Sequence, residues 1–344
     1  MTQEIELLVH FRILILFILI SGLLFSQTHP DIKVDRALKT GISEIVKQNY
    51  RGAEKIFQEL DKDYPQIPLG KIYIAATLIA ESYDYDSQFD DKRISELLNE
   101  AKKTSEILLS ANKQSIWNKY YLALIFGYQA YYEAIKGNLI KALSVGLNSY
   151  NLFDEILEQD STFQDALIAV GTYKYWKSDK LEFLSWLPFI DDEREVGIKF
   201  LERSIRNNSY NSHLAIYSLI WIFIHQKNFN NAKELAEYAL DKFPQSRIFK
   251  ESLARIYEEI DLNKSVQIYN QVLDSYEKLE LENRVRIITL KHKIAIQLQK
   301  AGKKAQALKI CDEILSIQDL SEYETEKLSS RIDRIKKMQS ELRK

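Results

Sequence analysis

The sequence predicts an all-α protein, a right-handed superhelix of about seven helix hairpins. Helix-breaking residues are scarce, with 10 Gly and 5 Pro in 344 residues. Leu, Ile, Lys, Glu and Ala, which favour helices, are abundant. Apolar residues also recur at i, i+3, i+4 and i+7, the spacing of one buried helical face, and this pattern returns along the chain.

The repeat is clearest in two segments, YRGAEKIFQELDKDYP from Tyr50 and FNNAKELAEYALDKFP from Phe229. Each begins with an aromatic residue, places apolar or small residues 3, 7 and 10 positions later, and has a proline after 15 positions. A third segment keeps the 4 and 3 spacing at Ala307, Cys311 and Ile314. The small residues allow two helices to approach closely, and the proline ends the second helix of a pair.

These residues resemble the tetratricopeptide repeat, a helix-turn-helix unit of about 34 residues. Segments 34–67, 213–246 and 288–318 match well, and 247–280 matches less well because Ser265 replaces the expected Ala and the turn is short. The matching residues are Gly41, Ala254 and Ala295 in the first helices, Tyr50 and Phe229 at the turns, Ala53, Ala232 and Ala307 in the second helices, and Pro65 and Pro244 at the ends. The resemblance implies a solenoid of the tetratricopeptide-repeat (TPR) type, in a family that binds many unrelated partners.

Longer helices are predicted in the middle of the chain, and a polar helix at its end. The middle helices are expected at 69–83, 92–110, 116–135, 139–158, 162–177 and 192–207. Ser321 and Glu324 form a capping-box pattern that opens a polar helix, 321–343, which would close the exposed end of the solenoid.

A second, shorter resemblance covers 168–207, which looks like the middle of TPR proteins of the inclusion-body clearance type. The residues that carry it are Gly171, Leu184, Ser185, Leu187, Pro188, Asp192, Arg194 and Gly197. That group implies architecture and no established chemistry.

The first 26 residues have the pattern of an export signal. An uninterrupted apolar run from Ile13 to Phe25 follows Arg12, and Ser26 offers a small residue for cleavage. The run is short for a membrane span, although an uncleaved anchor stays open. We therefore expect residues 27–344 to form the mature domain, which is exported to the periplasm or secreted. If the first 26 residues are not cleaved, they would hold this domain at the membrane.

The segment LEFLSWLPFI, part of a predicted apolar insert at 178–190, interrupts the helical pattern because Pro188 prevents a regular helix. Phe183, Trp186 and Phe189 would either dock on a partner or a membrane, or fold back into the hollow of the superhelix. A second candidate surface is the concave groove, which the first helices of TPR pairs line. The residues expected there are Tyr131, Tyr175, Tyr217 and Trp221. Ordinary packing between repeats is the alternative reading of these aromatics.

Composition and motifs argue against several other functions. The formal net charge is -2 without a basic block, so we expect no nucleic-acid partner. The five His lack a metal-ligand spacing, and neither a nucleophile motif nor a Gly-rich phosphate loop occurs, so we expect no metal, cofactor or catalysis. Acidic Asp84–Asp91 departs from a calcium loop and is interpreted as a solvated turn. Cys311, the only cysteine, is expected to pack in a helix interface.

The sequence therefore predicts an exported, non-catalytic scaffold that binds a protein or peptide in its groove. Two alternatives stay open: a glycan or small ligand bound between the groove aromatics, or a structural subunit of an envelope or outer-membrane complex.

Overall fold

The computed structural model describes residues 27–180, 191–207, 209–279 and 283–344, which form helices and connections without a β-strand. The helices within these ranges are α1 (Ile32–Val46), α2 (Tyr50–Asp63), α3 (Leu69–Tyr85), α4 (Asp91–Ala111), α5 (Ile116–Ile135), α6 (Leu139–Gln159), α7 (Gln164–Lys180), α8 (Arg194–Arg206), α9 (Ser212–His225), α10 (Phe229–Lys242), α11 (Arg247–Ile260), α12 (Leu262–Glu277), α13 (Arg284–Lys300), α14 (Lys304–Leu315) and α15 (Glu322–Leu342).

The helices pair in chain order, α1 with α2 through α13 with α14, and α15 follows the last pair. The predicted all-α, TPR-like solenoid is confirmed, and the predicted helix positions agree with the structure to within a few residues at each end. Residues 178–180, the start of the predicted insert, form the end of α7. The remainder of that insert lies outside the described residues.

Close helix crossings explain the small residues. A Cβ atom built on Gly171 of α7 would lie 2.8 Å from the backbone oxygen of Gly197 in α8, and one on Gly197 would lie 2.5 Å from the backbone oxygen of Gly171. Any side chain at either position would force the two backbones apart. Cys311 is fully buried in the C-terminal core, as predicted.

Two capping arrangements fix local register near the C-terminal end. Asp261 ends α11 and also begins α12, and its side chain accepts hydrogen bonds from the backbone N–H groups of Asn263 and Lys264. This single residue is the whole connection, which accounts for the predicted short turn. At α15 the predicted capping box is present, because Ser321 and Glu324 each accept a hydrogen bond from the other's backbone N–H.

The end of α3 ties the second helix pair to the C-terminal pairs. The Asp84 side chain is fully buried, forms an ion pair with Arg247 of α11 and accepts a hydrogen bond from the Tyr276 hydroxyl at 2.7 Å. Asp86 pairs with Arg286 of α13 at 3.4 Å, and its backbone oxygen accepts from the Tyr323 hydroxyl at 3.2 Å. We call this set of contacts the α3 clasp.

The α3 clasp corrects the expectation of a solvated turn for the start of Asp84–Asp91 only, because Asp84 is buried whereas Ser87, Gln88 and Asp90 are exposed as expected. Helix α3 extends to Tyr85, so Asp84 lies on a helix that faces the interior. Its distant partner Arg247 compensates the buried charge, which no local pattern around Asp84 reveals.

The first described residues are held to later helices by hydrogen bonds. The Gln27 Oε1 atom accepts a hydrogen bond from the backbone N–H of Asp165 at 2.8 Å, and the His29 backbone N–H donates to the Tyr210 hydroxyl at 2.7 Å. Gln27 and His29 are both buried. Thr28 and Pro30 are exposed, so the chain runs along the surface towards α1 and turns alternate side chains inward. Among the helices of the described ranges, none has the length and hydropathy of a membrane span.

Candidate functional site

A cavity of about 460 Å³ lies between helices of the second, fifth, sixth and seventh pairs. First helices of four pairs, α3, α9, α11 and α13, supply most of its wall, and α12 supplies one residue. Its lining residues are Tyr83, Tyr217, Trp221, Ile248, Glu251, Ser252, Arg255, Glu258, Tyr269, Arg286, Lys293, Ile296, Gln297 and Lys300. Its volume is within the roughly 300–1,000 Å³ typical of ligand pockets.

One wall of the cavity is aromatic because α9 places Tyr217 and Trp221 one turn apart on the same face. Their ring centroids are 6.1 Å apart and their planes meet edge-on at 68°. Burial, with the neighbouring Tyr83 hydroxyl, raises the pKa of Tyr217 above its usual range. Tyr217 is therefore a neutral phenol at physiological pH, able to donate or accept a hydrogen bond.

Another part of the lining carries charged groups that are largely paired. Glu251 forms ion pairs with Arg286 and, at 3.3 Å, with Lys293. Glu258 accepts a hydrogen bond from the Tyr269 hydroxyl at 2.7 Å and forms an ion pair with Arg255 at 3.2 Å. Burial, followed by the charge of Glu258, raises the pKa of Tyr269.

These pairs hold the charged side chains in fixed positions around the opening. The lining includes four basic and two acidic side chains, so the cavity has a formal excess of positive charge. An anionic or acidic ligand fits this balance better than a basic one.

Three polar groups of the cavity lack a hydrogen bond of good geometry or an ion pair in the described part of the chain. Gln297 is 2% exposed, yet its Oε1 atom has no hydrogen bond. The Trp221 Nε1 atom is also buried and makes no hydrogen bond of good geometry, only a weak contact with the Tyr217 hydroxyl. Lys300 lies at the rim without an ion pair. Buried polar groups are normally satisfied, so Gln297 and Trp221 mark the places where a ligand gains most from binding.

Only two of the four predicted groove residues line the cavity in the structure. Tyr217 and Trp221 line the cavity. Tyr131 is 46% exposed and its ring lies 6.3 Å from that of Tyr83, but it does not line the cavity.

The expectation for Tyr175 is wrong. It is 1% exposed and packs edge-on against Trp176 at 5.2 Å, because the tight α7–α8 crossing encloses that face of α7. Phe183, Trp186 and Phe189 lie outside the described residues.

Sequence reasoning missed the polar side of the cavity. Lys293, Gln297 and Lys300 are spaced by 4 and 3 residues in a first helix, which is the signal that could have identified them. Tyr83 and Arg286 reach the cavity through contacts between pairs far apart in sequence, and no local pattern predicts those contacts.

Comparison with known proteins supports the fold. No protein-family profile matches the chain, and no curated protein matches it either. The solved human IFIT1 dimer with PPP-AAAA is similar in structure, at 16% sequence identity and a TM-score of 0.50. The match covers 83% of this chain but only 58% of the IFIT1 chain, so this protein spans well under two thirds of that relative.

Two bacterial structures are also similar. The C-terminal part of a TPR repeat-containing protein from Cytophaga hutchinsonii is 16% identical, with coverage of 85% of this chain and 99% of that one and a TM-score of 0.40. A tetratricopeptide repeat protein from Parabacteroides merdae is 14% identical, with coverage of 91% and 100% and a TM-score of 0.39. At these identities the similarity concerns the fold alone. The resemblance of 168–207 to the inclusion-body clearance type stays a prediction.

Proposed function

We propose that the protein is an exported, non-catalytic scaffold that binds a segment of a partner protein in the cavity between α9, α11 and α13. The observation that carries this proposal is the pair of unsatisfied groups, the Gln297 Oε1 acceptor and the Trp221 N–H donor. A polypeptide backbone presents both an N–H and a C=O group, so one extended segment supplies a partner for each.

The charge of the cavity favours an acidic segment. Glu251 and Glu258 already neutralise part of the basic lining through their ion pairs, and Lys300 is left to meet an incoming carboxylate. The aromatic wall of Tyr217 and Trp221 provides an apolar surface next to these charges. The preferred ligand therefore combines acidic residues with an apolar or aromatic one.

The alternatives receive less support from this geometry. A sugar clamped between Tyr217 and Trp221 needs a slot between the two rings, and these rings contact each other edge-on. An enzyme needs a carboxylate free to transfer protons, whereas both carboxylates of the cavity are engaged in ion pairs. The role of an envelope subunit rests on Phe183, Trp186 and Phe189, outside the described residues. Export rests on the signal pattern of residues 1–26.

The binding proposal is tested with peptides selected by the wild-type protein from a random displayed library. Affinities are then measured by fluorescence anisotropy for two cavity variants, Gln297→Leu and Lys300→Glu. Each is expected to weaken binding by about tenfold, because a hydrogen bond or a charge pair contributes on the order of 1.4 kcal/mol.

The matched control is Lys304→Glu, which makes the same charge change at an exposed residue of α14 that lines no part of the cavity. Unchanged affinity in both cavity variants would refute the proposed site. PPP-AAAA, present in the human IFIT1 structure, serves as the competing probe. Binding of PPP-AAAA that Lys300→Glu abolishes, without binding of any acidic peptide, would replace the peptide ligand by a nucleotide.

A further inference from the structure

We infer that the binding surface continues beyond the cavity onto α15, where Lys327, Arg331 and Arg334 bind a second acidic residue of the same partner segment. We call these three residues the α15 basic face. The inference deepens the proposed function and rests on it, because it concerns a ligand that passes across α9, α11 and α13. It gives a binding role to the helix that closes the end of the solenoid.

Helix α15 lies alongside α13, next to the cavity. Arg284 of α13 forms an ion pair with Glu324 of α15 at 2.8 Å, and the Arg331 Nη1 atom lies 3.4 Å from the His292 Nδ1 atom. The partners in these two contacts are 40 and 39 residues apart, so the two helices run parallel in nearly constant register. A segment that crosses α13 from the side of α11 therefore meets α15 next.

The α15 basic face turns towards the cavity. Lys327, Arg331 and Arg334 are spaced by 4 and 3 residues, which places them on one side of the helix. The Lys327 ammonium lies 5.7 Å from the centre of the Tyr323 ring, and the Tyr323 hydroxyl belongs to the α3 clasp. Arg286, which lines the cavity, is close enough for its charge to act on Arg331.

The cations of this face are not neutralised by the protein. Within the described ranges none of the three forms an ion pair, and Arg331 is partly buried. Its neighbour His292 is a neutral ring, because burial lowers the pKa of His292 to about 4. Burial, followed by the charge of Arg334, also lowers the pKa of the Arg331 guanidinium. Asp86 acts in the opposite direction, but it already pairs with Arg286.

A carboxylate from a ligand relieves this arrangement. Like charges three and four residues apart on a helix repel each other, and a partly buried charge needs a partner. The Arg331 guanidinium is a planar fork that can bind a carboxylate through two parallel N–H···O bonds. The α15 basic face therefore fits an aspartate or glutamate side chain of the ligand.

The geometry sets the spacing of the two acidic residues along the ligand. Lys300, which meets the first carboxylate in the proposed function, lies about 12 Å further along α13 than His292, the neighbour of Arg331. Packed helices are about 8–10 Å apart. Lys300 and Arg331 are therefore roughly 15 Å apart, a distance that an extended segment covers in about four or five residues.

The test uses the peptides that the wild-type protein selects from the random displayed library. The first acidic residue is identified as the one whose replacement by glutamine has no effect on binding to Lys300→Glu. A glutamate is then placed at each other position in turn, and fluorescence anisotropy gives the affinities. A glutamate about four or five residues away should strengthen binding by about three- to tenfold, and Arg331→Gln should remove this gain.

Three further variants serve as controls. Arg331→Lys keeps the charge and should keep most of the gain. Lys336→Gln makes the same charge change at an exposed residue of α15 outside the basic face, and it should leave the gain unchanged. Arg334→Gln, also at an exposed position, should reduce the gain in part. Circular dichroism shows that each variant is folded, and Arg334→Gln decides the question if Arg331→Gln unfolds.

The outcomes separate this inference from the proposed cavity site. Peptides that depend on Gln297 and Lys300, without any glutamate position that Arg331→Gln affects, refute the inference and leave the cavity standing. A gain that depends on Arg331, with no effect of the cavity variants, refutes the cavity and leaves the α15 site standing. An equal loss in Lys336→Gln would reveal a general charge effect and overturn the inference. A library that yields no binder contradicts both proposals.

Discussion

Replacement of Asp84 by Ala is expected to destabilise the protein by about 3–5 kcal/mol, the usual cost of removing one partner of a buried ion pair. The side chain of Asp84 is 0% exposed and that of Arg247 is 9% exposed, so water cannot compensate the guanidinium that remains. The Tyr276 hydroxyl loses its 2.7 Å hydrogen bond in the same variant. Both losses act on the α3 clasp.

A paired replacement separates the effect of the charge from that of the packing. Asp84→Leu combined with Arg247→Met removes both charges and keeps apolar volume. This double variant should therefore be more stable than Asp84→Ala by about 2 kcal/mol or more. Guanidinium denaturation followed by circular dichroism measures each free energy of unfolding. Glu195→Ala breaks an exposed pair with Lys199 and should cost no more than about 0.5 kcal/mol.

The reasoning fails if Asp84→Ala costs less than about 1 kcal/mol, because the pair would then be solvated in solution. It also fails if the double variant is the least stable of the set. That result would mean that Arg247 is stabilised by groups other than Asp84.

Three further predictions concern crossings, titration and capping. Gly197→Ala should destabilise the protein by about 1–3 kcal/mol in thermal unfolding, because the added Cβ would meet the Gly171 backbone. Gly146→Ala, whose added Cβ would lie 3.5 Å from its nearest neighbour, should stabilise the protein by up to about 1 kcal/mol. A Gly146→Ala variant less stable than Gly197→Ala would refute the close crossing. Burial, aided by Arg331 and Arg334, lowers the pKa of His292 to about 4, so the unfolded chain binds this proton more tightly than the folded one. The contribution of neutral His292 to the free energy of unfolding should be fully present above about pH 6.5 and decrease by up to about 3 kcal/mol between pH 6.5 and 4. In denaturation curves measured over a series of pH values, His292→Gln should reduce this decrease. Ser321→Ala should cost about 1 kcal/mol through the capping box, measured in the same denaturation assay against the exposed Ser329→Ala.

Sequence reasoning succeeded where the determining contacts are local. Helix boundaries follow from apolar periodicity and from caps within a few residues, so the N-cap of α15 at Ser321 is predictable from the sequence. Tyr217 and Trp221 lie on one face of a first helix and both line the cavity, whereas their role in binding a partner stays a prediction.

Contacts between distant repeats account for the failures. Tyr175 follows the same rule as Tyr217, yet the crossing at Gly171 buries it. Asp84 looked like part of a solvated loop because its partner Arg247 lies 163 residues away. Both outcomes depend on how pairs stack and curve, which the pattern of a single repeat does not specify.

The α3 clasp also bears on how the chain folds. In an open solenoid each repeat contacts only its neighbours, so unfolding can begin at either end and spread unit by unit. Here α3 is fixed to α11 and α15 through contacts that span 163 to 237 residues. Contacts between residues so far apart in sequence slow folding, and they couple the early repeats to the late ones. The array should therefore behave more like a single cooperative domain than like a one-dimensional chain of independent repeats.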